Sequence, residues 1–156
     1  MKNSEITRLL QGDRKNGIIG IYKGKALVKK IPYKNGKVHG IVQLYNDKGI
    51  CIEETEYSEG KKNGISKEYS KKHRLISEGL YENGRLDGKL TTYYADGQVE
   101  SIAYYKKGKI EGDLRVYDRD GHIIHQTSHK DGEITSINYN TYDRHERIDE
   151  FDFENF

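Results

Sequence analysis

The chain has 156 residues, 33% of them hydrophobic and another 33% charged, with 17 glycines, 13 tyrosines, no tryptophan and one proline. So little aliphatic material excludes an ordinary compact core, while regularly placed tyrosines and glycines argue against the disordered chain that such polarity otherwise describes. Net charge is only +2, but residues 1–74 carry 17 Lys+Arg against 8 Asp+Glu and residues 75–156 carry 10 against 17, so an elongated molecule would be electrically bipolar.

Cys51 is the single cysteine, which rules out an internal disulfide and the metal motifs built on paired cysteines. Residues 3–11, NSEITRLLQ, place Ile6, Leu9 and Leu10 at helical spacing behind Ser4, a helix-capping residue type. Leu9, Gly12 and the following KNG equally fit a degraded first repeat, because terminal repeats depart from their consensus to seal an end. A short N-terminal helix and a worn hairpin both stay open. Residues 1–17 lack the apolar run of a signal peptide and nothing approaches a membrane span, so the expectation is a cytoplasmic protein.

From Tyr33 the chain repeats every 24 residues. An aromatic column runs Tyr33, Tyr57, Tyr81 and Tyr105, then His129 and Phe153. A first glycine column runs Gly36, Gly60, Gly84, Gly108 and Gly132, preceded by Gly12. A second runs Gly40, Gly64, Gly88 and Gly112 and closes on Ser136, and a mid-repeat tyrosine recurs at Tyr45, Tyr69, Tyr93 and Tyr117. Four columns holding one period mark a repeat protein. Within a unit, residues 38–45 and 50–57 read as strands, and 46–49 and 58–61 as turns. Asn35-Gly36, Asn83-Gly84, Asp96-Gly97, Asp120-Gly121 and Asp131-Gly132 supply residues that tolerate the positive φ of tight hairpins.

The predicted fold is all-β, an elongated antiparallel meander of 24-residue β-hairpins in an open single-layer sheet. One repeat domain spans 1–156: a divergent first segment at 1–32, regular repeats at 33–132 and a divergent acidic cap at 133–156. If the turns are four-residue loops, Tyr45 pairs with Ile50, Gly40 with Thr55, Val38 with Tyr57, Tyr57 with Lys62 and Tyr81 with Leu86. Alternation then lines the aromatic column across one face. The second glycines stand opposite Thr55, Gly79, Ala103 and Thr127 in a lane of small residues. Tyr45, Tyr69, Tyr93 and Tyr117 lie on the other face beside Ile52, Ile76 and Ile124.

The units YKNGKVHGIVQLYNDKG, YENGRLDGKLTTYYADG and YKKGKIEGDLRVYDRDG, with their Y-x-x-G-x-x-x-G-x(4)-Y spacing, resemble bacterial variants of the MORN repeat. Among these they are especially similar to the YwqK-type antitoxins of toxin–antitoxin systems. The resemblance covers residues 33–132 and not the flanks. It implies an elongated array of β-hairpins, with protein binding, scaffolding, membrane association or toxin neutralisation as roles. It carries over no catalytic residues.

The residues themselves offer little chemistry. His122, His125 and His129 have a spacing suited to metal ligands on a helix, but on a strand His122 and His125 point opposite ways, so surface histidines are the better account. His39, Asp87 and Glu111 share one repeat position, before the second glycine, which reads as structural. No nucleophile elbow, phosphate loop or cofactor motif is recognised, and the reading is a non-enzyme. Lys23, Lys25, Lys29, Lys30, Lys34 and Lys37 interleave with Tyr22 and Tyr33, a composition suited to single-stranded nucleic acid or anionic lipid. The acidic second half opposes a long polyanion, so neither nucleic acid nor membrane is the expected partner. The C-terminal Asp149, Glu150, Phe151, Asp152 and Glu154 alternate acid with ring and suit a basic cleft on another protein. Phe153 also continues the aromatic column, so the same run suits a finished last strand. The expectation is an antitoxin or immunity protein that occludes a cognate toxin. The alternatives are a MORN-type scaffold or membrane-associating assembly protein, and an inhibitor of another host or phage enzyme.

Overall fold

The computed structural model describes residues 5–138, which form thirteen strands: β1 (Glu5–Gly12), β2 (Gly17–Lys23), β3 (Ala26–Lys34), β4 (Lys37–Val38), β5 (Gly40–Tyr45), β6 (Cys51–Ser58), β7 (Lys61–Tyr69), β8 (Leu75–Glu82), β9 (Arg85–Tyr93), β10 (Val99–Lys106), β11 (Lys109–Tyr117), β12 (Ile123–Lys130) and β13 (Glu133–Asn138). They make one open antiparallel sheet whose spatial order follows the chain, with the short β4 pairing β3. There is no helix among the described residues. The N-terminal alternative resolves to the hairpin: Ile6 pairs with Tyr22 and Leu9 with Ile19 as β1 lies along β2. The C-terminal acids and Phe153 lie outside the described residues.

The turns that join successive units are type I′. Asn35 and Gly36 have φ of 52° and 77°, and Asn83 and Gly84 have 51° and 87°. Glu59 and Lys107 take the same left-handed conformation, where Asn or Asp is the usual occupant. Each such turn is clasped to the previous unit. The amides of Gly60, Gly84, Gly108 and Gly132 donate to the carbonyls of Val38, Lys62, Leu86 and Ile110 at 2.7–3.1 Å. The residue before the second glycine completes the clasp. Asn63, Asp87 and Glu111 side chains accept the amides of Asn83, Lys107 and Asp131. The amide of Lys107, and then Lys106, holds the Asp87 carboxyl below its ordinary range. That position is structural at these units.

The turn inside each unit differs from the expectation. It is a five-residue loop: Asn46 N–H donates to the Ile50 carbonyl, and Gly49 N–H to Asn46. The Asn46 side chain accepts the amides of Lys48 and Ile50, and Ser70 and Asp118 repeat this pattern. One extra loop residue and one bulged residue in the outgoing strand move the register by two. Tyr45 therefore pairs with Cys51 rather than Ile50, Val42 rather than Gly40 faces Thr55, and Gly40 rather than Val38 faces Tyr57. The Tyr57–Lys62 and Tyr81–Leu86 pairs stand as expected. Ile52, Ile76 and Ile124 are the bulged residues.

The shift gives the second glycines a different task. Gly40, Gly64, Gly88 and Gly112 sit opposite Tyr57, Tyr81, Tyr105 and His129, where the absence of a side chain leaves room for a ring. Their φ values, 101°, 113°, 130° and 89°, belong to a bulge with two extra residues on the glycine strand, as between Thr55–Ser66 and Tyr57–Lys62. Where Ser136 replaces the glycine, the bulge keeps one extra residue, since a serine resists that backbone conformation.

With no second layer, a side chain is buried only by taller neighbours on its own face. Thr91 and Gly20 are buried on one face; the other most buried residues are also small, Val42, Thr55, Ser66, Ala103 and Thr127, together with Gly79. The latter share one lane of the other face, which carries the tyrosine column and is hereafter the ring face.

Candidate functional site

The ring face carries a groove of about 360 Å³ across β7, β8 and β9. Gly79 is its floor. A Cβ built there would lie 3.0 Å from Leu86 Cδ2 and 3.1 Å from Leu90 Cδ1, so these two leucines lean over the gap that glycine leaves. Tyr81 and Ile76 complete the apolar wall, and Ser66, Glu68, Ser77 and Thr92 supply the polar lining.

The observed register places two carboxylates face to face, Glu53 on β6 opposite Glu68 on β7. Like charges directly opposite on a sheet oppose folding. Glu53 is relieved by Lys62, whose ammonium lies 3.8 Å away and 5.1 Å from the centroid of the Tyr81 ring, and by the Thr55 hydroxyl at 3.0 Å. Glu68 receives only the Ser77 hydroxyl, at 3.2 Å. Beyond the groove, Glu100 accepts from the Thr92 hydroxyl at 3.1 Å. Among the described residues neither Glu68 nor Glu100 has an ion pair. Burial raises the Tyr81 hydroxyl above its ordinary pKa, and Glu68 and then Glu53 push it further. The site is an apolar trough with negative potential along one rim. It can hold an elongated group that is greasy along its length and cationic at its tip.

The opposite face is knitted into itself. Tyr69 donates to Glu54 at 3.1 Å and Tyr93 to Glu78 at 3.0 Å. Burial and then the Glu54 bond push the Tyr69 hydroxyl up to about 12. His73 stacks on Tyr69 with centroids 4.5 Å apart. Burial, then Glu54, also raises the Cys51 thiol, which makes it a poor nucleophile.

Other sequence candidates separate. Lys23 and Lys25 lie at one end of the β2–β3 hairpin, and Lys34 and Lys37 at the far end of β3, about 25 Å away at strand rise. Lys29 and Lys30 are on opposite faces. The three histidines do not converge; the side chains that do are Asp118, Asp120 and His122, within 4.8 Å of one another in an exposed turn. Asp118 is occupied there in accepting the amides of His122 and Asp120, which lower its pKa. Tyr33, Tyr57, Tyr81 and Tyr105 lie on the ring face, and Gly36, Gly60, Gly84 and Gly108 in the type I′ turns. Asp149, Glu150, Phe151, Asp152 and Glu154 fall outside the described residues. The Glu53–Glu68 apposition escaped sequence reading because it depends on the bulge at Gly64, which adds two residues to β7 and moves Glu53 from Ser66 to Glu68. Its signal was the second glycine of the repeat, Gly64, whose φ of 113° admits that bulge.

A repeated hairpin sheet with clasped turns invites comparison with known repeat families. Residues 86–107 match the MORN repeat variant family. The matched stretch runs from the groove wall at Leu86 through the clasped turn at Lys107, and the MORN repeat is a unit of scaffold and binding proteins. No curated protein sequence matches the chain. Among solved structures it is similar to a chain in the crystal structure of the GtfA/B complex bound to UDP and GlcNAc, at 14% identity and a TM-score of 0.35. The alignment covers 76% of this chain and 23% of that one, a likeness too slight to carry argument. Among the described residues no helix is long and apolar enough to cross a membrane.

Proposed function

We propose that this protein is a non-catalytic binding repeat whose ring-face groove docks a segment of a partner protein. The observation that carries the reading is the groove: an apolar trough with a carboxylate that has no ion pair among the described residues, held on a sheet whose units clasp one another. The MORN repeat match supports the same class of role. Ser77→Trp fills the trough, whereas Lys29→Trp, in the same column two repeats earlier and on β3, leaves it open. A partner recovered from host extract by the wild-type chain and by Lys29→Trp, but lost with Ser77→Trp, supports docking there. Recovery that ignores Ser77→Trp refutes it.

The finer form of the reading is neutralisation of a cognate toxin by occlusion, with cytoplasmic residence. Its support is the resemblance of the 24-residue units to antitoxin repeats and the acid-and-ring run at 149–154. A scaffold that assembles edge to edge or sits on a membrane is the competing form. Sedimentation and flotation with anionic liposomes separate the two: a monomer that stays with neither vesicle nor copy favours neutralisation.

A further inference from the structure

We propose that the group taken by the ring-face groove is a basic side chain, an arginine or lysine presented by a partner protein. This rests on the protein-docking reading and names the chemistry it uses. The 24-residue repeat supplies the argument, because it allows one unit to be laid over the next. On β7, at the Tyr81 wall of the groove, Lys62 extends along the sheet, its ammonium 3.8 Å from Glu53 and 5.1 Å from the Tyr81 ring centroid. The chain thus already holds one cation between a carboxylate and a ring on this face.

Lys62 is alone in its column: Val38, Leu86, Ile110 and Ile134 stand at the equivalent positions. Moved on by one repeat, the place of its ammonium falls beside Ser77 and the Tyr105 ring, and Ser77 is the residue that donates to Glu68. Leu86 supplies wall there and no charge. Glu68 is therefore the groove carboxylate with no ion pair among the described residues, since Lys62, at the Tyr81 wall, is committed to Glu53. Leu86, Leu90 and Tyr81 offer the apolar contact that a basic side chain's methylenes need. A ring face and a carboxylate beside each other favour a guanidinium over a neutral group of the same shape.

The test titrates the isotope-labelled full chain with N-acetylarginine amide, and in parallel with the neutral N-acetylcitrulline amide, while amide resonances are followed. The arginine probe should shift Ser66, Ser77 and Gly79 saturably, and the citrulline probe should not. Glu68→Gln should weaken the arginine probe by about threefold to fivefold, the upper end for one exposed charge pair. Equal shifts from both probes, shifts elsewhere on the sheet, or indifference to Glu68→Gln overturn the inference. Loss of partner recovery with Ser77→Trp alongside a silent arginine titration leaves the docking reading standing and removes only the basic-side-chain claim.

Discussion

Two glycines on neighbouring strands should respond to alanine with opposite sign. Gly88 has φ +130°, and a Cβ there would lie 2.8 Å from Leu80 Cδ2 and 3.0 Å from Leu80 Cβ. The second atom is fixed to the backbone and cannot swing aside. The conformation alone costs an L residue about 1–3 kcal/mol, and the contact adds to it. Gly88→Ala should therefore lose about 2–3 kcal/mol, or roughly 4–12 °C in a chain of this size. Gly79 has no such φ, and its close contacts are the ends of two flexible leucines. Ala103 fills the same column one repeat on. Replacing glycine there removes freedom from the unfolded chain, worth about 0.4–1 kcal/mol, so Gly79→Ala should be neutral or stabilising by up to about 1 kcal/mol. Denaturant midpoints at a common slope measure both. A Gly88→Ala protein within about 0.5 kcal/mol of wild type, or equal losses at the two sites, would refute the bulge reasoning.

Three further outcomes follow from the opposite face and the termini. Tyr93→Phe should cost about 1 kcal/mol by removing the bond to Glu78, whereas Tyr117→Phe should cost less, since Ile102 stands where its acceptor would be; unfolding midpoints decide. The raised Tyr69 hydroxyl favours the folded state fully below its unfolded pKa of about 10, and that contribution is lost as pH climbs to about 12. Phenolate absorbance lagging behind unfolded controls, with stability falling in the same window, is the expected result. On the proposed neutralisation reading, alanine at Asp149, Glu150, Asp152 and Glu154 should weaken partner binding and flatten its salt dependence; unchanged binding in a salt series removes that contact.

The period was legible because glycine and tyrosine each serve a geometric need at a fixed place in the hairpin. Asn35-Gly36 and Asn83-Gly84 name their turn type outright, and the pairs flanking the turns between units, Tyr57–Lys62 and Tyr81–Leu86, followed from it. The other register did not follow, because a five-residue loop with a trailing bulge and a four-residue loop share much of their composition. Asn46 and Ser70 close the longer one by accepting two amides each. Parity survived the error, since a shift of two returns every side chain to its expected face. What it altered was who meets whom across β5–β6 and β7–β8, whereas Glu53 against Glu68 comes from the Gly64 bulge between β6 and β7. The glycines illustrate the same point: the column was visible, but the ring opposite each one depends on the register.

In a single-layer repeat, a residue shared by its column is explained by the unit itself, so individuality must be sought where columns break. Four of the breaks fall together. Lys62 interrupts an aliphatic column; Glu68 stands among Leu44, Thr92 and Val116; Glu53 precedes Ser77 and Ser101; and Gly79 falls between Thr55 and Ala103. No turn, clasp or bulge requires any of the four. Glu53 and Glu68 even oppose folding by their apposition. All four nevertheless meet on one face within β6, β7 and β8, around the one trough that Gly79 opens beneath Leu86 and Leu90. A stretch of sheet that gives up regularity and accepts a like-charge contact in the same place is organised for something other than its own fold, and a cation from outside is what its charges lack.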